Sequence, residues 1–510
     1  MTDRGGADGG SAGENGDGRM MMTQRAEDLA ADSPVREDRP DRARLVGSLG
    51  VSSIVFMVVA AAAPLTVVGG GVPLGILIGN GVGFPTMYAA AAVLLVLFAV
   101  GFAMMARHVP RPGAFYTFIR YGLGERSGLA AAYVAVVAYT MSQVAVFGYI
   151  GYILGNAVAA VGRPDIPWWL FALASIAVVG ILGYRDIDLS SKVLAVVLIA
   201  EVAVVLVIVG AVTVSGGAEG LSLAPFAPAN VLSGSPGVGL MFGVAAFIGF
   251  ESTAVYRDEA RDPHRTIPRA TYLSVILVGV FYVIASWGMI MAWGPSKIMD
   301  VVAEDPGSTI LVTAAKYFGA AGATITNVLL VSSMFACVLS FHNVISRYQH
   351  SMAMSGTLPR RLAHVHARHR SPHVSSLVQT STAAVLVVLF AVLGLDPVRQ
   401  VFGWFSSGAV LPVVLIMAAT SVAVIVYSRR ERVSESMWSR IVAPGLAFVG
   451  LIGAAVLIIA NFPTLVGDVD GKGVPAFGIV SAILLGAMVI SAIMGWVQAT
   501  VKLSRSRRAT

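Results

Sequence analysis

The sequence predicts an all-α membrane protein of twelve transmembrane helices, and three observations carry that prediction. Mean hydropathy is +0.79, and only 12% of residues are charged, where soluble domains carry about 25%. Strongly apolar runs recur from about Leu49 to Val501 with no polar domain between them. The 35 Lys and Arg residues fall unequally, and in alternation, between successive loops. A soluble enzyme, free or held by a single anchor, is excluded. The single cysteine, Cys337, lies inside an apolar run, so neither a disulfide framework nor a cysteine metal cage is expected. A pI of about 9.6 does not imply nucleic acid here, because the basic residues sit in small clusters between apolar runs, as membrane topology requires.

Crossing a hydrocarbon core about 30 Å thick takes about 20 mostly apolar helical residues. Twelve runs qualify, at about 49–80, 84–106, 128–158, 167–183, 190–214, 237–256, 271–293, 320–345, 375–394, 400–427, 440–461 and 475–500. Run 1 is overlong and carries helix breakers between Pro64 and Pro73. Run 6 is interrupted by Gly243, Gly249 and the charged Glu251. Cytoplasmic loops retain positive charge, and thirty Lys and Arg fall on one side against five on the other: Arg163, Lys297, Lys316, Arg399 and Lys472. That split places both termini in the cytoplasm and the chain as a multi-pass protein of the cytoplasmic (inner) membrane.

Residues 1–45 mix acids, bases and glycines with almost no aromatics. Such a segment cannot bury enough apolar surface to offset ordering entropy, so a disordered cytoplasmic tail is expected. No cleavable signal peptide is expected before run 1, and Met20-Met21-Met22 offers an alternative translation start. The remaining organisation reads as a core at 46–430, two additional helices at 431–500 and a basic cytoplasmic tail at 501–510.

Unsatisfied backbone groups are not tolerated against lipid, so a broken helix survives only where it is buried in protein or lines a cavity. In secondary transporters, paired breaks occur at corresponding positions of two inverted repeats, with substrate held between them. Runs 1 and 6 fit as the first members of two five-helix halves, 1–5 and 6–10. The alternative is that their glycines simply allow close helix packing.

Residues 246–270, AFIGFESTAVYRDEARDPHRTIPRA, with the acidic pair Asp258-Glu259, resemble the signature of the amino acid–polyamine–organocation permease superfamily. Two further segments are similar to that superfamily's motifs. They are ARHVPRPGAFYTFIRYGLG at 106–124, with its P-x-x-G-x-x-Y loop, and SFHNVISRYQHSMAMSGTLPRRLAHVH at 340–366. The resemblance covers about residues 45–430. It implies a LeuT-like fold of five-plus-five inverted repeats with two extra C-terminal helices, and proton symport or exchange of amino acids, amines or polyamines.

The resemblance places the first break at Ala61-Ala62-Ala63-Pro64-Leu65-Thr66, where such permeases usually carry glycines; Gly69-Gly70-Gly71 is the rival. Pro64 suits the start of a half-helix, since its missing N–H would have had no intrahelical partner. Substrate is then expected at Ala62, Ala63, Pro64, Leu65 and Thr66, with the amides of Leu65, Thr66 and Val67 facing a carboxylate. Across from them, Gly249 permits irregular backbone, and the carbonyls of Ala246, Phe247 and Ile248 face an ammonium, with Glu251 adding negative potential. Glu201 in run 5 is the second intramembrane acid, functional by default at that depth. The resemblance implies that run 5 passes close to the first break and to run 8, which makes Glu201 the expected proton-coupling group, with Ser332 and Ser333 as hydroxyls that would serve a sodium ion instead. A lysine that some relatives carry near position 201 is absent.

Tyr139, Ser142, Trp404, Ser406 and Ser407 are weaker candidates for the cavity wall. His364, His366, His369 and His373 crowd one loop, where a solvated basic segment is favoured over a metal site. No cofactor or metal is expected. A membrane enzyme would need nucleophile, base or metal ligands converging at one depth, and an intramembrane inventory of two glutamates, His342 and hydroxyls does not supply them. The resemblance, with the anion site at the first break, implies import of an amino acid by proton symport. The alternatives are an amine or polyamine permease, an exchanger, a sodium-coupled carrier, a channel or a permease-derived receptor.

Overall fold

The computed structural model describes residues 49–109, 115–160, 162, 166–185, 191–255, 260–369 and 371–509. The expected tail at 1–45, Met20–Met22, Pro110–Gly113 of the loop motif and Asp258-Glu259 lie outside these residues. Among the described residues the chain is all-helical, without strands. Ten of its helices are long and apolar enough to cross a membrane. Two shorter apolar helices, Trp168–Tyr184 and Pro236–Ala245, fall on runs 4 and 6.

Run 1 is two helical pieces. Helix α1 (Val51–Ala61) ends where Ala62 caps it, and Ala63 adopts a left-handed conformation with φ 47° and ψ 67°. Helix α2 (Pro64–Thr66) opens with its proline at the first turn and continues through wide π turns at Val67–Gly71 and Gly75–Asn80. A left-handed alanine costs roughly 1–2 kcal/mol, which identifies the break as a strained point. Gly69–Gly71 is not the break. β-Carbons on Gly69 and Gly70 would lie 2.9 Å from the Tyr149 hydroxyl and 2.6 Å from the Phe402 ring, so these two glycines serve close packing.

Helices α3 (Pro85–His108), α4 (Phe115–Leu123) and α5 (Glu125–Ala160) follow. Helix α4 lies in what the sequence reads as a loop; it buries Phe115, Phe118, Ile119 and Gly122, one helical face, but is too short to register as a span. After α6 (Trp168–Tyr184) and α7 (Ser191–Val214), run 6 again divides, into α8 (Pro236–Ala245) and α9 (Ser252–Val255). Gly249, at φ 111°, turns the chain between them. Phe250, next in sequence, stacks edge-on against Phe98 of α3 and packs on Phe102 and Phe115, anchoring the far side of the break. Helices α10 (Pro263–Trp293), α11 (Ile298–Glu304), α12 (Thr309–Met354), α13 (His373–Val392), α14 (Gly403–Gly408) and α15 (Val410–Arg430) complete the expected core region. Helices α16 (Ala443–Val466) and α17 (Ile479–Ala509) close the chain.

The connecting segments bond within two groups that match the charge-based sides. On the arginine-rich side, Arg107 pairs with Glu435 and Lys502 with Glu125. There also Arg430 donates to the Tyr121 carbonyl, and the Arg261 amide to that of Leu49. On the other side, Ser296 bonds Glu219, Arg399 donates to the Ala303 carbonyl, and Ser233 to that of Asn80.

Candidate functional site

The two breaks face one cavity. Its volume is about 70 Å³, where about 10–15 Å³ accommodates one water, which is room for a small solute. Ala62, Ala63 and Thr66 line it from the first break and Ala246 and Ile248 from the second. The wall is completed by Val67 and Gly71 beyond the first break, Phe242 and Ala245 on α8, Ser142 and Val146 on α5, Cys337 and Phe341 on α12, and Phe402 and Ser406 beside and within α14.

At the first break the Val67 amide is taken by the Ala63 carbonyl at 3.3 Å. The Leu65 amide lies beside the Glu201 carboxyl. Of the three amides expected to face an anion, that leaves Thr66 for an incoming ligand. At the second break the Phe247 carbonyl accepts from the Phe250 amide at 3.2 Å. Among the described residues, no hydrogen bond is made to the carbonyls of Ala246 and Ile248, which remain acceptors.

Glu251 is buried and folded back on its own turn. The Gly249 amide donates to its Oε2 at 2.9 Å, and the Tyr139 hydroxyl, from α5, donates to Oε1. It does not line the cavity, nor do Pro64, Leu65, Phe247 or Gly249; these residues shape the breaks. The physical reason is local satisfaction: a buried carboxyl is costly without donors, and the exposed amide of its own break is the one at hand.

Glu201 is joined to both Ser333 and the first break. The Ser333 hydroxyl donates to Glu201 Oε2 at 2.7 Å, and the Thr66 hydroxyl donates to Ser333 Oγ at 3.2 Å. All three side chains are buried, so three helices meet in one polar chain beside the cavity. Ser332 is not part of it; its hydroxyl donates to the Leu329 carbonyl of its own helix at 2.8 Å.

A second buried network escapes a reading confined to charges and hydroxyls. Gln143 donates to the Val338 carbonyl at 3.1 Å, and Gln379 donates to Gln143 Oε1 at 2.8 Å. Gln349 donates to Gln379 Oε1 at 3.2 Å. This ladder ties α5, α12 and α13 together, and amides inside apolar runs were its available signal. His342 bonds Ser376 across 2.8 Å. In the histidine-rich loop, His366 Nδ1 accepts from the amides of Arg368 and His369, and the rings of His366, His369 and His373 gather around Tyr184.

Comparison with known proteins gives a consistent picture. The family profile described as amino acid permease matches residues 49–489. A low-affinity putrescine importer of Escherichia coli (strain K12) is 24% identical over 316 residues, 60% of this chain and 67% of the importer. An uncharacterized transporter of Mycobacterium tuberculosis is 30% identical over 400 residues, 77% of this chain and 82% of its own. A branched-chain amino acid permease of Bacillus subtilis (strain 168) is 26% identical over 366 residues, covering 69% of this chain and 75% of that one.

Proposed function

This chain belongs to the amino acid permease family, and from that premise we propose that it imports an amino acid by proton symport, binding it between the breaks at Ala62–Ala63 and Ala246–Gly249. It is a multi-pass membrane protein, a transporter of amino acids or amines and not an enzyme. The observation that carries the finer reading is a cavity lined from both interrupted helices, with the Glu201–Ser333–Thr66 chain beside it. An amino acid needs an anion site and a cation site a few ångströms apart. The positive end of α2 with the Thr66 amide is suited to the first, and the open carbonyls of Ala246 and Ile248 to the second.

In this reading the twelve helices comprise two inverted five-helix repeats within 46–430 and two further helices at 431–500, in the cytoplasmic membrane with both termini inside. The charge split and the two groups of bonded loops support it. Single cysteines at Asp468 and Arg430 in a Cys337→Ala background are expected to label from opposite faces; labelling from one face contradicts the topology.

The choice of amino acid over amine rests on the anion site, which an amine lacking a carboxylate leaves empty. Putrescine is the alternative that a relative's function favours. In proteoliposomes, amino acids are expected to displace bound substrate at lower concentration than any carboxylate-free amine. An amine competing as well as every amino acid tested overturns the choice.

A further inference from the structure

The charge and size of the cavity wall go further than the distinction between amino acid and amine. Its side chains are aliphatic, aromatic, hydroxyl or thiol, and none of them is ionisable as a carboxylate or ammonium. Two intramembrane carboxyls lie near the breaks, and neither belongs to the cavity wall. Glu251 is held by Tyr139 and the Gly249 amide, and Glu201 is held by Ser333. A second charge on a bound substrate would therefore meet Phe341, Phe402 and Val146. The α-ammonium and α-carboxylate have backbone groups to meet them; a charged side chain has none. A buried charge without a partner costs several kcal/mol.

Gly71 is the glycine on the cavity wall. The cavity follows one face of the second part of run 1, touching Ala63, Val67 and Gly71 at four-residue intervals. A β-carbon on Gly71 would meet Val67 Cγ1 at 3.5 Å and the Tyr88 hydroxyl at 3.9 Å, ordinary contacts that leave the fold undisturbed. Gly70 and Gly69 differ: β-carbons there would come within 2.6 Å of Phe402 and 2.9 Å of the Tyr149 hydroxyl. Gly71 is thus the glycine of the three whose missing side chain serves cavity space more than helix packing.

Building on the proposed amino acid transport, we propose that the substrate is a zwitterion with a small uncharged side chain, and that Gly71 is a specificity-determining residue that sets the upper limit of that side chain. The hydroxyls of Ser142 and Ser406 allow a polar uncharged group as well as an apolar one. The test uses the full chain in proteoliposomes, presented in turn with radiolabelled glycine, alanine, valine, ornithine, aspartate and putrescine. Alanine is expected to be taken up, with ornithine and aspartate more than about 100-fold poorer substrates, given the cost of an uncompensated buried charge.

Gly71→Ala is expected to lower the apparent affinity for valine by about tenfold or more while glycine changes little, since one methylene of misfit in a pocket discriminates by about 10–200-fold. Ornithine or aspartate within tenfold of alanine, a factor of about 1.4 kcal/mol, overturns the charge selection. Equal losses for glycine and valine overturn the role of Gly71. Uptake of putrescine with no amino acid transported would instead remove the amino acid reading itself, which separates the two failures.

Discussion

Glu201→Gln retains substrate binding and exchange but loses accumulation driven by a pH gradient. Glutamine keeps the shape of the side chain, and its carbonyl can still accept the Ser333 hydroxyl that now lies 2.7 Å from Glu201 Oε2. What it lacks is a proton to bind and release. In the wild type, proton loss leaves a negative charge beside the Leu65 amide, at the positive end of the second part of run 1. Protonation removes that attraction, and the difference between the two states is what links proton binding to opening and closing. For one proton per substrate, each unit of pH gradient sustains at most about tenfold accumulation. In the Gln variant the ratio is expected to fall to equilibration, with exchange of labelled for unlabelled substrate preserved. A sodium-dependent, pH-independent wild type contradicts the proton scheme and turns Thr66, Ser333 and Glu201 into a cation site. Full gradient-driven uptake by the Gln variant clears Glu201 of the coupling role.

Gly249→Leu abolishes substrate binding while the protein remains folded. At φ 111° the position lies where side chains with a β-carbon are strained, at a cost of order 1–3 kcal/mol. A leucine there forces the turn to rearrange, disturbing the Gly249–Glu251 bond at 2.9 Å and the open carbonyls of Ala246 and Ile248. The flanking pieces are anchored independently, by α8 and by Phe250 against Phe98 and Phe102, so the damage stays at the break. Binding is expected to weaken by more than about 100-fold, equivalent to about 2.7 kcal/mol. A monodisperse size-exclusion profile and a cooperative thermal transition would certify the fold. Near-normal affinity in such a folded variant places the site elsewhere.

Much of this arrangement was legible from residue types alone, and the gaps have physical causes. For the first break, residue types offered both Pro64 and Gly69–Gly71; the family resemblance favoured Pro64, which as a proline fits a helix start, although the preceding Ala63 bears strain that a glycine would not. Glu201 and Ser333 stood out as a carboxyl and a hydroxyl inside apolar runs. Ser332 was an equal candidate, because neighbouring helical residues differ by about 100° in direction and a sequence does not state how a helix is rotated. The partners of Glu251 were hidden for a different reason: they are an amide two residues away and Tyr139 on another helix. Phe341 and Phe402 were invisible as cavity wall, since a phenylalanine facing substrate and one facing lipid read alike in an apolar run. Gln143 and Gln379 were legible in principle, as amides buried where polar groups are costly.

Accumulation of a radiolabelled amino acid by proteoliposomes containing only the purified chain tests the central claim most directly. With an inward proton gradient, the internal concentration of the neutral amino acid is expected to rise above the external one and to collapse when a protonophore removes the gradient. Saturable binding with no accumulation under any imposed proton gradient contradicts the account; if exchange and sodium-driven uptake are also absent, a receptor takes its place.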